Sequence, residues 1–199
     1  MLRADSSILV VVDMQEAFRT MQGFSAVVPR AVQIVHSARL LDIPVVGTEL
    51  TPSRMGTTIE ELSGYIDRHS FHAKESFSSL QVPAIADAIA SSHAQSVVLM
   101  GCEAHLAVLQ TALQTMATFD CHVHLVVDCS ASRRERDREL GLERMRRAGV
   151  QLTSVEMVLF EWLRDTRHPR FGAVTQKPGS SASSTSSVGS VSSSEASLP

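Results

Sequence analysis

The runs Ile8-Leu9-Val10-Val11-Val12 and Val97-Val98-Leu99-Met100 contain no polar residue. A strand with one wet face alternates apolar and polar side chains, so a run with no polar position must be covered on both faces, as in a parallel sheet. After the second run comes Gly101, then Leu106, Leu109 and Leu113 at three- and four-residue spacings, the stripe of an amphipathic helix. Further strands are expected at Ile43–Thr48, His122–Asp128 and Leu152–Val155. Helices are expected at Val27–Leu41, Val82–Ser92, Arg133–Arg147 and Val155–Leu163, with a shorter one at Thr58–Tyr65. His69 to Ser78 has no clear period and reads as strand or loop. Together these segments make about six strands with five crossovers. The expected fold class is α/β, a doubly wound, mostly parallel six-stranded sheet with helices on both faces and ligands at the carboxyl ends of the strands.

Composition bounds the rest. A chain of 199 residues accommodates one domain, expected at residues 1–176, with a tail at 177–199. Eleven of the twenty residues from Ser180 to Pro199 are serine, a composition too polar to offset its ordering entropy, so the tail is expected to be disordered. The net charge of −3 gives no general attraction to nucleic acid or anionic membrane. No apolar run approaches bilayer length, and with a first strand expected to begin by Ile8 no leader is expected. Three cysteines, Cys102, Cys121 and Cys129, have no metal-like spacing, and reduced thiols in a cytoplasmic compartment are expected. Arg133 to Arg147 carries seven arginines against four acids with charges four residues apart, which reads as a solvated helix face rather than an RNA patch. His122 and His124 alternate along one strand without a further ligand at metal spacing.

Three groups fall at or beside the expected ligand edge. Asp13 directly follows a buried strand, either as a helix cap or loop residue or as a paired acid in a cleft. Lys74 is one of only two lysines among 18 basic residues, the other being Lys177 in the tail. It is either an ordinary surface lysine or a compact cation placed where arginine would not serve. The third group is the turn from Gly101 to Ala107, where a strand passes into a helix and first-turn N–H groups face a crevice suited to an anion or oxyanion.

The motifs Val12-Asp13-Met14-Gln15-Glu16-x-Phe18, Thr48-Glu49-x-x-Pro52-x-x-Met55-Gly56-Thr57, Lys74-x-x-Phe77-Ser78, Gly101-x-Glu103-Ala104-His105-x-x-Val108-x-Gln110-Thr111 and Val126-Val127-Asp128 occur in this order. Over residues 7 to 172 the chain resembles the isochorismatase-like hydrolases, with their Rossmann-like three-layer fold. Its branch resembles the small stand-alone isochorismatase-domain proteins. It does not resemble the nicotinamidases, which carry metal ligands where this chain has Thr48-Glu49-Leu50. The resemblance implies a catalytic aspartate at Asp13, a lysine at Lys74, and a cysteine nucleophile six residues after Gly101. It also implies an oxyanion and substrate-binding turn at Cys102, Glu103 and His105, often with a cis peptide at Cys102–Glu103. The nucleophile position is Ala107. A methyl group cannot attack a carbonyl, so the expectation is a hydrolase-fold protein impaired in cysteine chemistry that keeps a pocket for a small-molecule ligand or carbonyl-type substrate. No metal or cofactor is implied, and homo-oligomers are common in the family. Alternatives are a hydrolase acting through water or Cys102, and an RNA-associated protein, since relatives in the branch include a mitochondrion-associated ribonuclease. The latter adds mitochondrial association without a recognisable presequence to the expected locations.

Overall fold

The computed structural model describes residues 1–176. The serine-rich tail predicted to be disordered lies outside the described residues. Chain order is β1 (Ser7–Val12), α1 (Phe24–Leu40), β2 (Val45–Leu50), α2 (Pro52–Met55), α3 (Glu60–Ser63), β3 (Phe71–Lys74), α4 (Pro83–Ser91) and β4 (Ser96–Cys102). A π-helical turn at Ala104–Val108 leads into α5 (Leu109–Thr118), followed by β5 (His122–Ala131), α6 (Glu135–Arg147), β6 (Gln151–Thr153), α7 (Val155–Leu163) and α8 (Phe171–Thr175). The six strands form one sheet in the order β3-β2-β1-β4-β5-β6, and every neighbouring pair is parallel. The strand order reverses direction at β1 and β4, so the crevice of a doubly wound sheet opens between their carboxyl ends.

Side-chain alternation along the strands divides the core into two layers. Leu9, Val11, Val98, Met100 and Cys102 face α1 and α7. Ile8, Val10, Val12, Val97 and Leu99 face α4, α5 and α6. The segment of unclear period resolves into the edge strand β3, whose four residues are too few to display a period.

Between β4 and β5 the pairing is interrupted. Leu99 pairs with Leu125, but Gly101 pairs with Ser130. Two steps on β4 thus face five on β5, and β5 carries three extra residues as a bulge. The bulge is tied off by polar groups: Ser130 Oγ donates to Val126 O at 3.0 Å, and Arg138 donates from Nη2 to Val127 O and from Nε to Ser130 O. Most arginines of α6 pair with acids three or four residues away, the solvated face expected. Arg138 also pairs with Glu135, but it turns inward to hold backbone carbonyls, a task that charge spacing does not reveal.

Candidate active site

Asp13 is the first residue beyond β1 and sits at φ 51°, a left-handed conformation that non-glycine residues rarely adopt. Neighbouring bonds hold it there. Its N–H donates to Thr48 O at 3.0 Å, and the wholly buried Gln15 amide bridges Leu50 and Gly56 across the end of β2. The Asp13 side chain is wholly buried and caps no helix. Its Oδ2 accepts from Lys74 Nζ at 2.7 Å, and its Oδ1 accepts from Thr48 Oγ1 at 2.8 Å. Lys74, at the end of β3, is not a surface lysine. It is 5% exposed, and its ammonium also donates to the carbonyls of Ser76 and Phe77 at 3.0 Å each. Burial pushes the Asp13 carboxyl above its ordinary value, against the pull of the Lys74 ammonium and the Thr48 hydroxyl. The pair therefore combines a proton acceptor of raised basicity with a fixed cation, the parts needed to take a proton and to stabilise the resulting anion.

Near the end of β4 stands Gly101, where φ is 135° and a Cβ would lie 1.9 Å from Val12 O. Only glycine allows β1 and β4 to approach this closely. The Cys102–Glu103 peptide is cis. Glu103 is buried, and its carboxylate is held by Arg133. It accepts from Arg133 N at 2.7 Å and from Arg133 Nε at 3.0 Å. Burial raises the Glu103 carboxyl, but the Arg133 bonds outweigh it and leave the carboxyl below its ordinary value. His105 Nδ1 lies 3.0 Å from Ser132 Oγ, and α6 packs so closely behind it that a Cβ at Gly141 would lie 2.7 Å from His105 Cα. The segment Ser130–Arg133, set in place by the β5 bulge, thus grips the turn from one side.

Ala107 lies in the π-helical turn, 2% exposed, among the side chains of the α4–α6 layer. Cys102 is wholly buried in the opposite layer, its Sγ 3.8 Å from Met14 Sδ. Burial pushes its thiol up to about 12. Cys102 and Ala107 therefore occupy different sides of the sheet, and the thiol packs as a small apolar group.

Sequence reasoning singled out Asp13, Lys74 and the turn, but missed the hydroxyls between them. Ser79 Oγ lies 3.1 Å from Thr48 Oγ1, and Thr111 Oγ1 accepts from Ser79 N at 2.9 Å while donating to Ala107 O at 2.7 Å. Thr48 and Thr111 both stand inside the family motifs, and that placement was the only signal available. A cavity of about 450 Å³ lies beside β2 and β3, lined by Glu16, Glu49, Thr58, Arg68, Phe71 and Ala73 among others. None of Asp13, Lys74 and Ala107 lines it. Of the two strand histidines, His124 is buried, with its pKa pulled down to about 4 by burial, and His122 is exposed. Among the described residues no group of three His, Cys, Asp or Glu side chains is arranged to hold a metal ion, and no helix is long and apolar enough to cross a membrane.

The family model for the isochorismatase domain matches residues 7–157. The chain belongs to the isochorismatase family. Isochorismatase domain-containing protein 2A of Mus musculus is 38% identical over 169 residues, covering 84% of this chain and 80% of the mouse protein. A secreted isochorismatase effector, Isc1, of Phytophthora sojae is 35% identical over 181 residues, covering 86% and 83%. Among solved structures, that of MAR1 ribonuclease from Caenorhabditis elegans superimposes with a TM-score of 0.83 at 29% identity over 96% of this chain and 98% of the other. An octameric hydrolase of unknown specificity from Escherichia coli has the same isochorismatase-like fold, with a TM-score of 0.79 at 20% identity over 86% of each chain.

Proposed function

We propose that this isochorismatase-family protein binds a small carbonyl-type ligand at the Asp13–Lys74 centre without covalent turnover by the family's cysteine route. The observation that carries the reading is the pairing of an intact buried acid–lysine couple, 2.7 Å apart, with a methyl group at position 107. The thiol elsewhere in the turn, Cys102, is buried in the other core layer and strongly disfavours its thiolate. That argues against its use as a substitute nucleophile, because the thiolate is the attacking species. RNA gains little support: the net charge is negative, and the arginines of α6 are largely paired with glutamates of the same helix. Assembly into homo-oligomers is part of the reading, supported by the octameric fold relative and by the half-exposed Phe77 beside Lys74.

The test compares wild type with Ala107→Cys on simple amides and imides, and follows iodoacetamide labelling residue by residue. Wild type is expected to hydrolyse no faster than the buffer control, with Cys102 resisting label. The Ala107→Cys protein is expected to label rapidly at residue 107 near neutral pH. Wild-type hydrolysis that disappears in Asp13→Ala would overturn the proposal. Labelling of Ala107→Cys at residue 107 no faster than at Cys102 would remove its inherited-site part.

A further inference from the structure

Asp13 and Ala107 are joined by a chain of polar groups crossing an otherwise apolar layer. Thr48 has one hydroxyl proton, and at 2.8 Å it donates that proton to Asp13 Oδ1. Ser79 Oγ, 3.1 Å from Thr48 Oγ1, must then be the donor to Thr48. On its other side the Ser79 backbone N–H donates to Thr111 Oγ1, whose own proton goes to Ala107 O. Thr48, Ser79 and Thr111 are all wholly buried. Valine at 48 or alanine at 79 would fill similar space without burying hydroxyls, so packing alone does not account for these residues. The bonds have a direction: each proton points toward the Asp13 carboxylate at one end and toward the Ala107 carbonyl at the other.

We propose that Thr48 and Ser79 are positioning residues of the Asp13 centre, holding its carboxylate in the charged form and at a fixed separation from residue 107. The idea deepens the reading of Asp13–Lys74 as the ligand centre and rests on it. A hydroxyl that donates to a carboxylate favours ionisation, and a second hydroxyl donating to the first strengthens that donation. The two carboxylate oxygens have different partners. Oδ2 is served by the Lys74 ammonium of β3 and Oδ1 by Thr48 of β2. Glu49 of β2 is the other charge acting on Asp13, and it disfavours ionisation. Without Thr48, Lys74 alone would oppose burial and Glu49.

The direct test is 13C NMR titration of the Asp13 side-chain carboxyl in wild type, Thr48→Val, Thr48→Ser and Ser79→Ala, with the resonance assigned through Asp13→Asn. Thr48→Val is expected to raise the Asp13 titration midpoint by about one pH unit. Ser79→Ala should raise it by less, and Thr48→Ser should return it to the wild-type position. An unchanged midpoint in folded Thr48→Val would overturn the proposal, and so would a serine variant that behaves like valine. Should Thr48→Val fail to fold, an unchanged midpoint in Ser79→Ala would overturn the proposal equally. In the Ala107→Cys background, the acid limb of iodoacetamide labelling at residue 107 should move with the carboxyl. Failure of the thiol introduced at residue 107 to label, with the NMR shifts present, would count against the inherited-site reading and leave the positioning role intact.

Discussion

Replacing Lys74 by methionine removes the cation from a pair in which both side chains are sealed from water. Methionine fills much of the lysine stem's volume, so the penalty should be electrostatic rather than a cavity cost. Removing one partner of a buried ion pair costs about 3–5 kcal/mol, because the remaining charge is left uncompensated. Two features place Lys74→Met near the lower end. Asp13 retains the Thr48 hydroxyl, and the carbonyls of Ser76 and Phe77 belong to residues open enough to turn to water. A loss of about 3 kcal/mol should lower Tm by roughly 6–12 °C for a domain of this size. Adding Asp13→Asn to Lys74→Met should recover more than half, since a neutral pair avoids the buried charge. The pH dependence gives the sharper check. Burial already raises the Asp13 carboxyl, and without the ammonium it rises further. A carboxyl whose folded pKa exceeds its unfolded value of about 3.9 destabilises the fold above the folded pKa, and the penalty vanishes below the unfolded one. Urea unfolding of Lys74→Met from pH 4 to 8 should therefore show a deficit that grows with pH. A deficit under about 1 kcal/mol at pH 7, or one that does not shrink on acidification, would refute the claim that this pair is a dry, mutually dependent couple.

Two other perturbations probe the frame around the site. Gly101→Ala should yield little folded protein by circular dichroism, since its methyl would meet the Val12 carbonyl at 1.9 Å. Gly64→Ala, with nothing within 4 Å, should be tolerated, and equal tolerance at both positions would be a refutation. Arg133→Ala should cost only about 1 kcal/mol at neutral pH, because the arginine is largely exposed and its backbone N–H still serves Glu103. As the Glu103 carboxyl is lowered in the fold, its stabilisation is present above the unfolded pKa of about 4.3 and fades as pH falls through the folded value. Acid unfolding of Arg133→Ala should accordingly be less steep than that of wild type.

The sheet was legible because its two central strands, β1 and β4, carry runs with no polar residue, a pattern few other structures tolerate. β3 was not legible, being a short edge strand whose identity comes from pairing with β2. The helix α1 begins at Phe24, earlier than the expected Val27, with Pro29 in its second turn. Its start is marked by the left-handed Gly23 rather than by a capping side chain. At the site, strand order placed Asp13, Lys74 and the turn near one edge. Local context left Asp13 between a cap or loop residue and a paired acid, and Lys74 between a surface and a site residue. The resemblance gave Asp13 and Lys74 their catalytic roles. Their contact depends on register between strands far apart in sequence, which local pattern cannot supply. The same applies to Ser79, which lies in a short turn before α4 and meets Thr48 of β2 and Thr111 of α5, 31 and 32 residues away in sequence.

The bulge in β5 has a consequence for which length changes this domain can accept. Three extra residues are an odd number, so they invert the side-chain alternation: Val126 and Cys129, three apart, face the same layer, whereas a regular strand would send them to opposite faces. The stretch between Leu125 and Ser130 therefore works as a phase adjuster between the regular half of the strand and the half that carries Ser130 to Arg133. Deleting Val127 or Asp128 would shorten no helix and remove no fully buried side chain. It would rotate the grip on the 101–105 turn onto the wrong face of the sheet, while the same deletion in an exposed loop would pass almost unnoticed.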